Sequence, residues 1–456
     1  MEYTLIAAAG DVAVCTLNAE PARFVHELDR DRVGFVAPLR TRSDLESLLR
    51  TLHLRPDIGH LVVCGDDVRS TGAALLALWE HGIDSNGRLP GSRGSLSPEL
   101  DAESLDTIRR DIQLWDRRDA TPAAVTRHVL GLPAPARKRQ ARTIPNAAPP
   151  ERTVFPSRKT TFPIFSGDAG DAWLQLLNLV LRIGTEKVTR AGDRLAEALN
   201  AVVTIELPDA ESELPAFLEF NYDDFERYYG HFSAPTPSAK AHHPCGERLF
   251  DRVGIDQLES AIDRLKQSHD TRSGTLVLLD PHDLGSAAAA PSLVSASFHV
   301  IDEQLFGSFV LRSTDVYSDW PLLALSLIRM QRLVAERLGI GVGTATFVVH
   351  SAHVYDRDWA RALRVLAESF GRPLPLQVDP AGIFLFGNDD GQARAMLLDH
   401  DADNIFWEEA FGDPEDLSWY IVDIMPWLLP QHIRYVGQEC ASLMRAIREN
   451  ECYEQG

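Results

Sequence analysis

Arg312 and Ser313 stand side by side, and a forked, permanently charged donor next to a hydroxyl is the donor set a phosphate ester takes. The same arginine on an open surface makes an ordinary ion pair, so the dipeptide alone admits both readings. His353 and Tyr355 are two apart in a strand-like run, ATFVVHSAHVY, which turns both side chains to one face. There they serve either as hydrogen-bonding groups for a ligand hydroxyl or as a satisfied pair in the core. The five cysteines, Cys15, Cys64, Cys245, Cys440 and Cys452, are scattered without a CxxC spacing, so neither a disulfide framework nor a metal site is expected.

Positioning such residues takes a frame, and 456 residues with 45 % hydrophobic and 24 % charged content are enough for two or three ordinary domains. No apolar run approaches the ~20 residues of a membrane span. The net charge of -21 disfavours general binding to nucleic acid or an anionic membrane. The start MEYTLIAAAGDVAV lacks the basic and long apolar regions of a signal peptide, so a cytoplasmic, reduced setting is expected. The sharpest composition shift covers residues 131–165, where seven prolines and seven Lys or Arg meet one acid, Glu151. It reads as an exposed, partly extended linker that docks on its own protein, is simply solvated, or meets a phosphate-rich partner.

Before the linker, DVAVCTL, VGFVAP and HLVVCGDD read as strands alternating with helices such as TGAALLALWEHGID, the pattern of an α/β domain over 1–130 with a Rossmann-like parallel sheet. The turn after Cys64–Gly65, into a helix starting near Ser70, is where such a sheet offers backbone N–H groups to a ligand. In LDAESLDTIRRDIQLWD, Leu105, Ile108, Ile112 and Trp115 recur at helical spacing. After the linker, long helices (AWLQLLNLVLRI, PLLALSLIRMQRLVAERL) mix with strands (TLVLLD, SFHVIDEQLFGSFVLRS, ATFVVHSAHVY), an α+β pattern over 166–456.

Two stretches resemble known families. HLVVCGDD, ALLALWEHGIDSNGRLPGSRGSL and the segment ending in QLWD together resemble, over about 110 residues, the cytoplasmic domain of the corrinoid-binding subunit of tetrahydromethanopterin S-methyltransferase. That family ligates a corrinoid cobalt through a histidine after the CG turn. The loop here, DDVRSTG, has none, so the resemblance implies a retained structural or regulatory scaffold and corrinoid binding is not expected.

The window from Arg312 to Tyr355, RSTDVYSDWPLLALSLIRMQRLVAERLGIGVGTATFVVHSAHVY, resembles thymidylate synthase without a gap, and GIDQLESAIDRLK with DTRSGTLVLLDPHDL extends the likeness upstream. The resemblance implies a homodimer, with Arg312 and Ser313 clamping a nucleotide phosphate, Arg190 on a nearby loop and Arg272 arriving from the second protomer. It further implies His353 and Tyr355 on the ribose and Asp315 on the pterin of methylene-tetrahydrofolate. The departures are equally specific. Ser292, in Pro291-Ser292-Leu293, stands where the family has its cysteine nucleophile, and a thiolate is accessible near neutral pH where an alkoxide is not. Leu323 replaces the asparagine that reads the pyrimidine, Cys245 a tyrosine, Ser273 a second partner arginine, and the tail reads NECYEQG. Either Cys245, its pKa lowered by His242 or His243, takes over as nucleophile, or it is a structural cysteine. The expected function is binding of a nucleoside 5′-monophosphate with transfer of a methyl or hydroxymethyl group from methylene-tetrahydrofolate by a non-standard mechanism. The alternative is a catalytically silent nucleotide-binding or scaffold protein.

Overall fold

The computed structural model describes residues 4–26, 28–29, 31–134, 139–146, 148–189, 192–206, 214–233, 244–250, 254–284, 290–371, 379–389 and 391–456. The chain divides into two compact units, Met1–Gly371 and Arg372–Gly456. Residues 166–456, expected as one domain, are therefore shared between them.

The first unit begins with a sheet in which Val12–Cys15, Val33–Ala37, His60–Cys64 and Gln113–Arg117 run parallel, with Thr4–Leu5 antiparallel at one edge. The first three parallel strands are buried along their whole length, which is why they read as unbroken apolar runs. Alternate residues serve opposite cores: Ala13, Cys15, Phe35 and Leu61 on one face, Val12, Val14, Val36 and Val62 on the other. In sheet order the parallel strands run second, first, third, fourth, which puts a switch point at the ends of Val12–Cys15 and His60–Cys64. The turn there is tight. Gly65 has φ 85°, and a Cβ on it would lie 2.4 Å from the Thr16 carbonyl oxygen. The backbone groups expected to await a ligand are already used, since Gly72 N–H and Ala73 N–H donate to the Asp67 carboxylate at 2.9 and 2.7 Å.

One expected helix is shorter than its spacing suggests. Ala102–Asp111 is helical, but Ile112 turns extended and Gln113–Arg117 pairs with His60–Cys64 as the fourth strand. A free sheet edge overrides the local periodicity that had placed Ile112 and Trp115 on the helix. The basic linker has no helix or strand between Gly131 and Thr160 among its described residues and packs on its own chain. Ile144 is buried in a core of the first sheet, and Arg139 donates to the carbonyls of Arg55 and Ile58, both at 3.0 Å. Arg152 donates to the Leu181 and Gly184 carbonyls at 2.8 and 3.3 Å, at the negative end of helix Ala169–Ile183, and stacks 4.4 Å from the Trp359 ring. The linker arginines thus seek helix-end and loop carbonyls as well as acids.

The larger mixed sheet has the order Thr160–Ser166, Arg194–Ile205, Gly341–Tyr355, Gln304–Leu311, Leu293–Ile301, Thr275–Val277, with Thr185–Val188 and Thr314–Asp315 beside it. Helices Ala169–Ile183 and Trp320–Leu338 cover one face, where Trp173, Leu177, Trp320 and Leu327 share a core with Val203, Phe309 and Phe347. Helix Trp320–Leu338 starts with Pro321 in its first turn and ends at Gly339 with φ 74°, both as helix sequence rules expect. The second unit is a three-stranded antiparallel sheet, Ile383–Asp389, Gln392–Leu398 and Ile405–Phe411, packed on helices Pro414–Ile424 and Pro430–Glu449. The tail closes on that unit's own edge strand, where Gln455 accepts from Phe386 N–H at 2.9 Å and donates to the Phe384 carbonyl at 2.7 Å.

Within the first unit, the N-terminal layer is fastened to the larger sheet's layer by buried polar groups. Ser43 Oγ donates to Asp358 Oδ1 at 2.6 Å. Arg361 joins the same pair, donating to Ser43 Oγ, to Asp358 Oδ1 at 2.9 Å and to Glu46 Oε1 at 3.3 Å. Nearby Arg69 forms an ion pair with Asp319, and Arg227 reaches Ser70 Oγ. Removing one member of such a buried pair strands the other. Asp358→Ala is expected to cost roughly 3 kcal/mol and lower the melting temperature by several degrees, whereas a shift under about one degree in a thermal scan would show that this bridge does not hold the layers together.

Candidate functional site

The strand Gly341–Tyr355 organises the site because two neighbours end beside it. Leu293 pairs with Leu311, Arg312 N–H donates to the Ser292 carbonyl at 2.9 Å, and the short strand Thr314–Asp315 then pairs in parallel with Ala352 and His353. This brings Ser292, Arg312, Ser313, Asp315, His353 and Tyr355 to one end of the sheet. Arg312 is exposed, and its Nε and Nη2 donate to the Pro291 and Ala290 carbonyls at 3.0 and 2.7 Å while Nη1 donates to Ser313 Oγ at 3.1 Å. It makes no ion pair among the described residues, against the bland reading of a surface salt bridge. Three of its five N–H groups hold the loop, leaving one on each Nη for an anion.

His353 and Tyr355 share a face, with ring centroids 5.2 Å apart at 87°, and Arg357 lies 4.1 Å from the centre of the Tyr355 ring. Burial lowers the His353 pKa against the pull of Asp319 and Glu197, and burial with nearby Asp315 raises that of Tyr355. Both groups are held neutral, the state that can donate and accept hydrogen bonds with a hydroxyl. Asp315 is buried, and its carboxyl is pushed up to about 7, first by burial and then by the neighbouring acids Asp358 and Asp319. Oδ1 accepts from Tyr317 N–H and Ser318 N–H at 3.0 and 3.3 Å, and Oδ2 accepts from Ser318 Oγ at 2.7 Å.

Other expected residues fall elsewhere. Arg190, His242 and His243 lie outside the described residues. Arg272 is exposed on the loop before Thr275–Val277, whose Thr275 pairs with Ser297. Ser297 is midway along strand Leu293–Ile301, and the chain before Thr275 runs on toward Ile301, which puts Arg272 ~20 Å from Ser292 at the rise of an extended chain, so a single protomer does not bring Arg272 to Arg312. Leu323 is buried on the first turn of its helix. Of the two readings of Cys245, its burial favours the structural one over the replacement nucleophile. Cys245 is buried in the core with Leu249, and burial pushes its thiol up to about 12 despite Arg248, the opposite direction from the one a nucleophilic thiolate needs. Ser292 is half-buried, and no acid or histidine bonds its hydroxyl among the described residues.

The structure also assembles groups that no local pattern revealed. A cavity of about 380 Å³ lies between the two layers of the first unit, lined on one side by Arg42, Arg69 and Ala77 and on the other by Trp173, Tyr317 and Leu322. Ser318, which bonds Asp315, lines it too. The partners are about 250 residues apart in sequence, and nothing in the DDVRSTG loop marks Arg69 as the partner of Asp319. Oδ2 of Asp315 keeps one lone pair free for a donor, and buried Arg42 Nη1 and Arg69 Nε have no hydrogen-bond partner among the described residues.

Asp315 makes a checkable mark on stability. Its folded-state pKa stands above the ordinary 3.8, so the folded protein holds this proton more tightly, and the stability it contributes is lost as pH rises from there through about 7. Asp315→Asn should therefore gain melting temperature over the wild type progressively between pH 5 and 8. A difference that stays flat across that range would show that the carboxyl is not perturbed.

Comparison with known proteins agrees with this geometry. The thymidylate synthase family model matches residues 209–386, and a second model, PterinBD-DUF4346, matches residues 378–456. Proteins named "Putative thymidylate synthase" are similar over less than half of this chain but most of their own length. That of Methanosarcina mazei is 30% identical over 190 residues, 41% of this chain and 87% of that protein. That of Methanothermobacter thermautotrophicus is 27% identical over 219 residues, covering 45% and 98%. That of Methanococcoides burtonii is 27% identical over 197 residues, covering 43% and 90%. With a sheet end that gathers an arginine–serine pair, a neutral His–Tyr pair and a buried aspartate, and with relatives matched over nearly their full length, the chain belongs to the thymidylate synthase family.

Proposed function

We propose that the chain binds a nucleoside 5′-monophosphate at Arg312 and Ser313 and transfers a one-carbon unit, methyl or hydroxymethyl, from a reduced pterin carrier without a thiolate nucleophile. The observation that supports it is the assembly of Arg312, Ser313, Asp315, His353 and Tyr355 at one sheet end while the nucleophile and base-reading positions are Ser292 and Leu323. The free N–H groups of Arg312 and the Ser313 hydroxyl suit a phosphate, and the His353–Tyr355 face suits a sugar hydroxyl. Losing the buried amide at position 323 relaxes pyrimidine recognition, so the base is not restricted to uracil. Methylene-tetrahydrofolate, the carrier the family generally uses, would supply the transferred carbon. Asp315 would hold or release a proton at Oδ2 near neutral pH, and separately, in the second unit, the match of residues 378–456 to a model named for pterin binding supports a pterin ligand for the chain.

A homodimer belongs to the same proposal. The sheet face away from the helices carries a row of hydrogen-bonded neighbours, Pro163, Val202, Val348, Val310, Ser295 and Val277, none of them buried. A second copy packed on that row would cover it, and Arg272, too distant within one protomer, would be delivered from the other.

The high pKa of Cys245 and the unactivated Ser292 favour one second reading, a catalytically silent nucleotide-binding protein. Transfer of isotopically labelled carbon from methylene-tetrahydrofolate to a nucleotide separates the two. Binding itself is tested by thermal shift against nucleoside and deoxynucleoside 5′-monophosphates, where a ligand at about 100 times its Kd adds roughly 2.7 kcal/mol. Arg312→Ala should weaken the best nucleotide by about 10- to 100-fold, the worth of a charged hydrogen bond to phosphate. Equal affinity in wild type and variant would remove the phosphate assignment.

A further inference from the structure

The cavity between the layers belongs only partly to the family's fold. Its floor, Trp173, Tyr317 and Leu322, comes from the layer of the larger sheet, whereas its opposite wall, Ala77 with Arg42 and Arg69, comes from the N-terminal parallel-sheet layer. Two helix starts face it, and both are already satisfied. Thr41 and Asp44 form a capping box on Arg42–Leu54, and Asp67 accepts from the first turn of Thr71–His81. What remains unmet on that wall, among the described residues, is guanidinium. Arg42 Nη1 and Arg69 Nε are buried without a hydrogen-bond partner, although Arg42 also donates to Ser92 and has Glu219 3.9 Å from its Nε, and Arg69 pairs with Asp319. Their charges already face acids, so what the wall lacks is an acceptor for one buried nitrogen on each guanidinium, which a ligand oxygen would supply.

Shape and position narrow the ligand. The floor sets Trp173, Tyr317 and Leu322 beside polar Glu219 and Asn221, so a ligand has a flat apolar surface for its middle part, and Ser318 joins the cavity to Asp315. A pterin held at Asp315 would extend its arylamine across Tyr317 and Leu322 and present its terminal carboxylate to the N-terminal layer. We propose that Arg42 and Arg69 bind the acidic end of the pterin carrier in this cavity, making the N-terminal layer a specificity wall of the site. This rests on the pterin reading above and adds to it a chain-specific source of affinity.

The test uses the full chain and two probes under anaerobic conditions: tetrahydrofolate, which has the arylamine and glutamate, and 6-methyltetrahydropterin, which lacks both. Calorimetric titration should show tetrahydrofolate binding at least about tenfold more tightly than 6-methyltetrahydropterin, as expected of an added charge-assisted contact. Ala77→Phe, which fills the cavity, and Arg42→Gln, which removes the charge without touching the layer bridge at Asp358, should each abolish that advantage and leave 6-methyltetrahydropterin affinity within about twofold. If Ala77→Phe fails to fold, Arg42→Gln alone decides. Unchanged tetrahydrofolate affinity in the variants, or equal loss of both pterins, overturns the cavity assignment while leaving the pterin reading standing. Failure of the wild type to bind either pterin overturns both.

Discussion

The buried bridge between Asp358, Ser43, Arg361 and Glu46 fixes the relation of the two layers on which the site's surroundings depend. Its groups are costly to bury apart and balanced only together, so the contact is specific in a way an apolar interface would not be. Asp358 follows the strand that carries His353 and Tyr355 by three residues, and Ser43 and Glu46 sit on the first turns of a helix in the other layer. Docking through these residues therefore sets the place of Arg69 against Asp319 and encloses the cavity.

The same burial that shapes the site decides what chemistry it retains. Desolvation keeps His353 and Tyr355 neutral, lifts Asp315 toward neutral pH, and suppresses the thiolate of Cys245. Such an environment favours hydrogen bonding and proton holding over thiolate chemistry. Arg312 differs from these groups in being exposed, and its fork is braced by the Pro291 and Ala290 carbonyls.

The basic linker illustrates how an acidic protein uses its cations. Arg139 and Arg152 are spent on backbone carbonyls, two of those of Arg152 lying at the end of helix Ala169–Ile183, and Arg152 also stacks on Trp359 beside Asp358. The segment thereby braces both layers from outside, which composition alone could not distinguish from solvation or from a phosphate-seeking role.

Much of the frame was legible in the residues. Unbroken apolar runs marked strands buried on both faces, Pro321 and Gly339 bounded the long helix, and the ordered window from Arg312 to Tyr355 identified which residues would meet at one sheet end. These are local properties of backbone geometry and side-chain period, and sequence carries them directly. It misjudged QLWD because a strand's place depends on a vacant edge elsewhere, and it offered Cys245 as a nucleophile because reactivity depends on burial, which adjacent histidines in sequence do not report. The cavity, the unmet donors of Arg42 and Arg69, and the perturbed Asp315 were decided by tertiary structure alone. Each arises from groups distant in the chain sharing a low-dielectric space, and no spacing in the sequence encodes that proximity.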